Sequence, residues 1–416
     1  MKFIRAIFAA RWQKTLYIMF FAQLMTAVGF SSIFPFLPLY VQELGAASGL
    51  SIELLSGLVF SGQAFTMMLA APFWGSIADR YGRKLMVERA LFGGAVILLL
   101  MAFARSAEEL VILRALQGLI TGTVAAANAL VAAQAPRARA GYAMGLLTVS
   151  MGAGVALGPL LGGVIADVFS YSAAFYITSA LLFLAGLVVQ FGIQETFVRP
   201  EKKPGKKTSI LGGWWSILTA RGVGVAYSMR FTGQLAGNMI LPIAPLFIQS
   251  LMVETASVNT TTGMIVGVSS ATTTASAIYM GRLGDRTGHR RIIILCSLAA
   301  SLFYLVHWRV TAPWQLLVLQ ALVGIAVGGI GPSISALLAR FTYPGQEGAV
   351  FGLDNSITSG ARSVAPVIGA ALAYALSLRT VFLAAAALYI GLGLVASRRL
   401  PSETSLSPSC ANPGIE

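Results

Sequence analysis

Hydrophobic residues run along this chain in long blocks, separated by short clusters of glycine, proline and charge. Within the blocks the apolar residues neither alternate nor keep to one face. That pattern speaks against strands and marks helices that are apolar all the way round. A helix needs about 20 mostly apolar residues to cross a hydrocarbon core of about 30 Å. Twelve blocks reach that length, near residues 15–40, 54–77, 86–104, 108–132, 141–166, 172–193, 217–250, 260–281, 292–308, 313–338, 348–376 and 380–397. They predict an all-α membrane protein with twelve transmembrane helices, numbered here as spans one to twelve.

The polar breaks repeat. "GSIADRYGRK" (75–84) follows span two, and "GRLGDRTGHR" (281–290) follows span eight at an offset of 206. "FPFLPLYVQEL" (34–44) aligns with "LPIAPLFIQSL" (241–251), so Pro35 and Pro38 meet Pro242 and Pro245, and Gln42 meets Gln249. Gly118 meets Gly324, while Pro159 and Gly162 meet Pro366 and Gly369. A near-constant offset along both halves indicates a parallel repeat of six spans. The expected architecture is two pseudo-symmetric six-helix bundles, 1–194 and 217–397. Between them, 195–216 is rich in Lys, Pro and Gly and reads as a flexible cytoplasmic linker. Residues 398–416 read as a cytoplasmic tail.

Composition agrees with lipid as the main solvent. Of 416 residues 56% are hydrophobic and 11% charged, and mean hydropathy is +0.78. The net charge of +14 would suit nucleic acid if it formed one patch. Instead the Lys and Arg residues gather in the breaks on one side, and the opposite loops hold only Arg105, Arg309 and Arg379. By the positive-inside rule both termini are cytoplasmic and the partner is a bilayer, not nucleic acid. The two cysteines, Cys296 and Cys410, and the two histidines have no metal-ligand spacing. No Ser/His/Asp set and no phosphate-binding Gly-rich loop is present, which argues against an enzyme, a metal, a cofactor or ATP-driven work.

An ionisable residue inside a span is costly and points to function. Arg114, Gln117, Thr121 and Asn128 form a polar stripe on span four. Arg230, Gln234 and Asn238 do so on span seven, and Arg362 lies on span eleven. No carboxylate falls at mid-membrane, where span one has Gln23 and Ser31. Glu43, Glu53, Glu88 and Asp354, nearer the two faces, are the candidates to carry a proton. Unpaired arginines would make a cavity favouring anionic or zwitterionic substrates. The other reading has Arg230 and Arg362 snorkelling or paired with peripheral acids.

Two stretches carry a family resemblance. "GSIADRYGRK" resembles the loop signature of the major facilitator superfamily, and "GRLGDRTGHR" its weaker second copy. The resemblance implies a gating latch at the cytoplasmic face. Gly75, Asp79, Arg80, Gly82 and Arg83 form one loop, and Gly281, Asp285 and Arg286 the other. A plain topological anchor is the alternative. In "GAGVALGPLLGG" (152–163), Gly154, Gly158 and Gly162 recur every four residues, a groove that admits another helix closely. With Pro159 and Gly163 they fit the antiporter signature of twelve-span drug:proton exporters. Arg114 matches that family's span-four arginine, which implies a part in coupling substrate to proton. The resemblance implies a monomeric, proton-driven multidrug-type exporter of small molecules. A dedicated exporter of an endogenous anionic metabolite such as a siderophore, or a proton-coupled importer, stands as the alternative.

Overall fold

The computed structural model describes residues 11–120, 122–136, 139–195, 222–252, 257–341 and 347–400. Among these residues every regular element is a helix, and the helices line up as twelve rods. Eight rods are single helices: Ile52–Tyr81, Arg83–Met101, Ala140–Val168, Tyr171–Gly192, Val258–Thr287, His289–Val306, Glu347–Ala375 and Leu378–Arg399.

The other four were expected to be continuous and are broken. Span one is Arg11–Ser32 plus Leu37–Leu44, and span seven is Val223–Asn238 plus Ala244–Leu251. Each break lies at the paired prolines, which lack the N–H an unbroken helix requires. A proline then opens each second piece, where the missing donor costs nothing. Span four is Ala107–Ile120 plus Thr123–Gln134, and Gly122 between them has φ +135°. Span ten is Pro313–Gly328 plus Ile330–Phe341. Hydropathy alone hides these breaks because the residues at them are also apolar. The breaks occupy equivalent places in the repeat, in the first and fourth rods of each half.

The two charged loops are much shorter than expected. Helix continues from Ile52 through Asp79 and Arg80 to Tyr81, and resumes at Arg83. Gly82 alone turns the chain, at φ +101°. Gly288 does the same at φ +100° between spans eight and nine, a backbone region that other residues seldom enter.

Each half has its own apolar core. One gathers Leu16, Phe36, Leu55, Leu91, Phe175 and Leu182. The other gathers Phe247, Ile293, Leu338, Phe382 and Tyr389. The halves meet along two seams, span five on span eight and span two on span eleven. Gly57 faces the Pro366 carbonyl, which a Cβ would approach to 2.8 Å. Gly263, its repeat equivalent, faces the Pro159 carbonyl so closely that a Cβ would overlap it. Glycine against proline carbonyl, reciprocated at equivalent positions, is the mark of a pseudo-twofold axis between the halves.

These contacts sit toward the end opposite the termini, called here the distal end. From Gly163 on Asn259 the five–eight seam runs past Ala156 on Gly267 to Gly152 on Thr274. Beyond that point, toward the terminal end, Gly141 and Gly145 of span five and Gly352 and Gly360 of span eleven face open space. Among the described residues the seams are thus tight toward the distal end, and these four glycines meet no neighbour toward the terminal end.

Candidate functional site

Span four places Arg114 fully out of solvent. Its Nη1 donates to Gln117 Oε1 at 2.6 Å and its Nε to the Val59 carbonyl at 3.4 Å. The Phe60 ring lies 5.9 Å from the guanidinium. Among the described residues Arg114 makes no ion pair. Three further polar side chains of the N half meet on the far side of the break in span four. Gln23 Nε2 donates to Asn128 Oδ1 at 3.4 Å, and Ser150 Oγ to Gln23 Oε1 at 3.4 Å. Thr121 lies outside the described residues.

The C half departs from the expectation of a bare positive cavity. Arg230 and Asp354 form a two-pronged pair: Nε to Oδ1 is 2.9 Å and Nη2 to Oδ2 is 3.1 Å. Arg230 also donates to Ser335 Oγ at 2.5 Å and to the Gly331 carbonyl at 3.3 Å. One arginine thereby ties span seven to spans ten and eleven. It is not a free cation, so it gives no basis for anion preference. The reading in which it pairs with an acid is the one the geometry supports. Asn238 Nδ2 donates back to Gln234, to its carbonyl at 2.7 Å and its Oε1 at 3.1 Å. Arg362 is exposed, and among the described residues it makes no ion pair.

Beside Arg230 opens a cavity of about 270 Å³ lined by Gln234, Thr273, Gly331 and Tyr389, among others. A second, of about 210 Å³, continues toward the distal end past Phe34, Tyr304, Gln320 and Phe382. The two share Gly237, Thr273, Val327 and Tyr389, so they form one cleft, charged at one end and aromatic at the other. Tyr304 and Tyr389 stack at 5.7 Å with their planes 7° apart. Large flat side chains and a few polar groups are the usual lining of a small-molecule site. The sequence reading missed Tyr304, Tyr389, Thr273 and Gln320. The two tyrosines sit in spans nine and twelve, whose apolar blocks give no sign of an inward face.

The glycine-rich stretch of span five has two working faces. At Gly154, Gly158 and Gly162 a Cβ would overlap Ala27, Ser31 and the Ser32 carbonyl of span one. Ser31 Oγ donates to the Gly154 carbonyl at 3.0 Å across that contact. Gly163 and the Pro159 carbonyl face the other way, onto Asn259 and Gly263 of span eight. One face therefore builds the N half, and the other closes the distal seam.

At that seam lies a residue not singled out from sequence. Asp167, at the end of span five, accepts from the Asn259 N–H at 3.3 Å, the Thr260 N–H at 2.6 Å and Asn259 Nδ2 at 2.7 Å. A carboxylate from one half caps a helix N-terminus of the other, where orphan N–H groups and the helix dipole favour it.

Toward the terminal end, Glu195 docks on the start of span three. Its carboxylate accepts from the Arg83 N–H at 3.1 Å and the Lys84 N–H at 2.8 Å. The residue expected to begin the linker is thus part of the N half. Glu88 pairs with Lys84 at 3.4 Å. On span eight the Gly281 backbone lies beside Pro332, while Asp285 is exposed and reaches His289 Nε2 at 3.3 Å. Arg286 is exposed in the last turn. The side chains of Asp79 and Arg80 and the surroundings of Gly75 lie outside the described set. At the distal rim Glu43 is exposed and Glu53 half-buried. Among the described residues no group of His, Cys, Asp and Glu is placed to hold a metal ion.

Comparison with known proteins adds to this geometry. The chain is 36% identical over 392 residues to the multidrug resistance protein MdtG of Enterobacter lignolyticus, covering 92% of this chain and 93% of that one. It is 35% identical over 371 residues to MdtG of Salmonella paratyphi A, covering 89% and 91%. Among solved structures it resembles the nucleoside transporter NupG with a TM-score of 0.78 at 14% identity, covering 93% and 100%. It also resembles a bacterial homologue of the human lysosomal transporter Spinster, in an inward-facing, unoccupied conformation. There the TM-score is 0.76 at 13% identity, covering 93% and 96%. The family model of the Major Facilitator Superfamily matches residues 19–258 and again 226–410. The chain belongs to the Major Facilitator Superfamily.

Proposed function

We propose that this protein is a proton-coupled exporter of small molecules in a bacterial cytoplasmic membrane, of the multidrug-efflux kind. The observation that carries the reading is its 35–36% identity, over about nine-tenths of the chain, to proteins named for multidrug resistance. The seam geometry supports it. The stretch that resembles the antiporter signature forms the contact that must part when the distal end opens. Both termini are cytoplasmic in this reading, so the cleft is open to the cytoplasm and ready to load. The working unit is a monomer in the bilayer. It needs no cofactor, because the proton gradient supplies the energy. A dedicated metabolite exporter or an importer gains no support from these relatives.

The two single-glycine turns at the terminal end form the latch of the opposite state. In the state seen here Asp285 is exposed and bonded to His289 rather than across a seam, as an undone latch would be. Asp79→Asn is expected to leave the protein folded and to slow turnover by about tenfold, the effect of losing ~1.4 kcal/mol from one conformer. Normal turnover by a well-inserted variant removes the latch role.

The test of the function uses purified protein in liposomes that hold a pH-sensitive dye. Anionic, neutral and cationic compounds are added singly against a set pH gradient. Proton flux opposite to substrate flux is the expected result. Substrate flux without proton movement overturns the reading. The charge class that triggers flux then reports on Arg114 and Arg362, two arginines within spans that make no ion pair among the described residues.

A further inference from the structure

The sequence leaves four carboxylates as proton carriers, and the folded chain treats them differently. Glu43 is exposed and Glu53 sits on the distal rim. Glu88 pairs within its own helix. Asp354 pairs across two helices, at the edge of the cleft, with side-chain exposure of 14% against 10% for Arg230.

The internal repeat sharpens the contrast. At offset 207, Arg230 corresponds to Gln23 and Ser335 to Asn128. The counterpart of Asp354 is Leu147, one turn before Ser150. Both halves therefore carry the same junction, where the first, fourth and fifth rods meet through polar side chains. In the N half it is Gln23, Asn128 and Ser150, all uncharged. In the C half it is Arg230, Ser335 and Asp354, with a full ion pair. A neutral version suffices to hold a half together. The charged version is costlier in a low-dielectric site, so its charge has another use.

Within the proton-coupled reading above, on which this rests, we infer that Asp354 is the carboxylate that takes the coupling proton, and that the Arg230–Asp354 pair is its switch. A proton on Asp354 cancels one member of the pair and leaves Arg230 held by Ser335 and the Gly331 carbonyl alone. The ionic tie between spans seven and eleven is then lost, while the Tyr227 bond to the Val350 carbonyl remains. Pro366, at the seam with Gly57, lies about 18 Å further along the same unbroken helix at ~1.5 Å per residue. Loss of the pair is thereby transmitted to the gate. The titratable and charged groups on the surrounding helices are Tyr227 and Arg230 on span seven, Arg340 on span ten, and Arg398 and Arg399 at the end of span twelve. Span two brings Asp79 and Arg80 toward the same end. Tyr227 donates its hydroxyl to the Val350 carbonyl at 2.9 Å, and Arg230 is the ion-pair partner of Asp354 among the described residues.

The test compares the wild-type chain with Asp354→Asn and with the double variant Arg230→Gln/Asp354→Ser. The double variant copies the uncharged chemistry of the N half and leaves no lone buried charge if the single variant folds poorly. Two readouts are taken on monodisperse protein. One is ethidium movement in liposomes, driven by a pH gradient or by ethidium exchange alone. The other is the distance between spin labels at Ser48 and Thr311 across the distal end, from pH 5 to 8. In the double variant, pH-driven movement is expected to fall at least about tenfold and the pH response of the distance to vanish. Exchange is expected to fall less than pH-driven movement does, because it does not require the proton on residue 354. Retained pH drive in the double variant overturns the inference alone. Equal loss of driven movement and exchange also overturns it, by showing the pair to be structural. A wild-type chain without pH response in either readout removes the proton-coupled reading and the inference with it.

Discussion

Replacing Gly163 by valine is expected to hold the two halves apart at the distal end. A Cβ at this position overlaps the Asn259 carbonyl, and comes within 3.0 Å of the Thr260 Cα. Both are backbone atoms, so no rotamer change relieves the clash. Overpacking of this kind costs about 1–3 kcal/mol in a core that can adjust. Here the cost falls only on the state in which spans five and eight touch. A penalty of ~3 kcal/mol moves a two-state equilibrium by more than about a hundredfold. Gly163→Val should therefore fold, insert and sit open distally. Spin labels at Ser48 and Thr311 should report a longer distance, and labels at Tyr142 and Tyr279 a shorter one at the terminal end. Turnover should fall by about the same hundredfold. Gly162→Val is the contrast. Its Cβ meets the Ser32 carbonyl inside the N half, so it should lower yield and thermal stability instead of shifting the two distances. If both variants behave alike, the two faces of span five do not have separate tasks.

Asp167→Ala is expected to act in the same direction by a different route. It removes three hydrogen bonds from a carboxylate to the start of span eight, two of them to backbone N–H groups. A hydrogen bond to a charged group contributes about 1.5–3 kcal/mol. Because these bonds join the halves, their loss destabilises the distally closed state relative to the open one, by at least about tenfold in population. Asp167→Asn retains an acceptor and should lie between wild type and alanine. The same pair of distal labels, read at fixed pH, checks the order. An unchanged distance distribution for Asp167→Ala would remove the capping contact from the gate.

Much of the fold was legible because a bilayer makes simple demands. Twelve long apolar blocks and a fixed offset led to two six-helix halves. The same offset pairs Gly57 with Gly263 and Pro159 with Pro366, the residues on which the seams are built. The breaks in spans one, four, seven and ten were hidden by their apolar surroundings, although Pro35, Pro38, Pro242 and Pro245 were in view. The partners of the site were less accessible. Arg230 and Asp354 are separated by 124 positions, and Asp167 and Asn259 by 92. No local period relates them. They meet only once the rods are packed, so the sequence left Arg230 open between a bare cation and one paired with a peripheral acid, and did not single out Asp167. Glu195 was obscured for a similar reason: its partners are backbone N–H groups, which no sequence pattern displays.

At their tightest points the seams between the halves are bare backbone, glycine on one side and a carbonyl on the other. Such a surface does not depend on the side chains that line the cleft. Residues such as Gln234, Thr273 or Tyr389 can change over generations without altering how the two halves come together or separate. Chemical selectivity and mechanical switching are thus recorded in different parts of the chain, and a lineage can acquire new cargo while inheriting the same hinge.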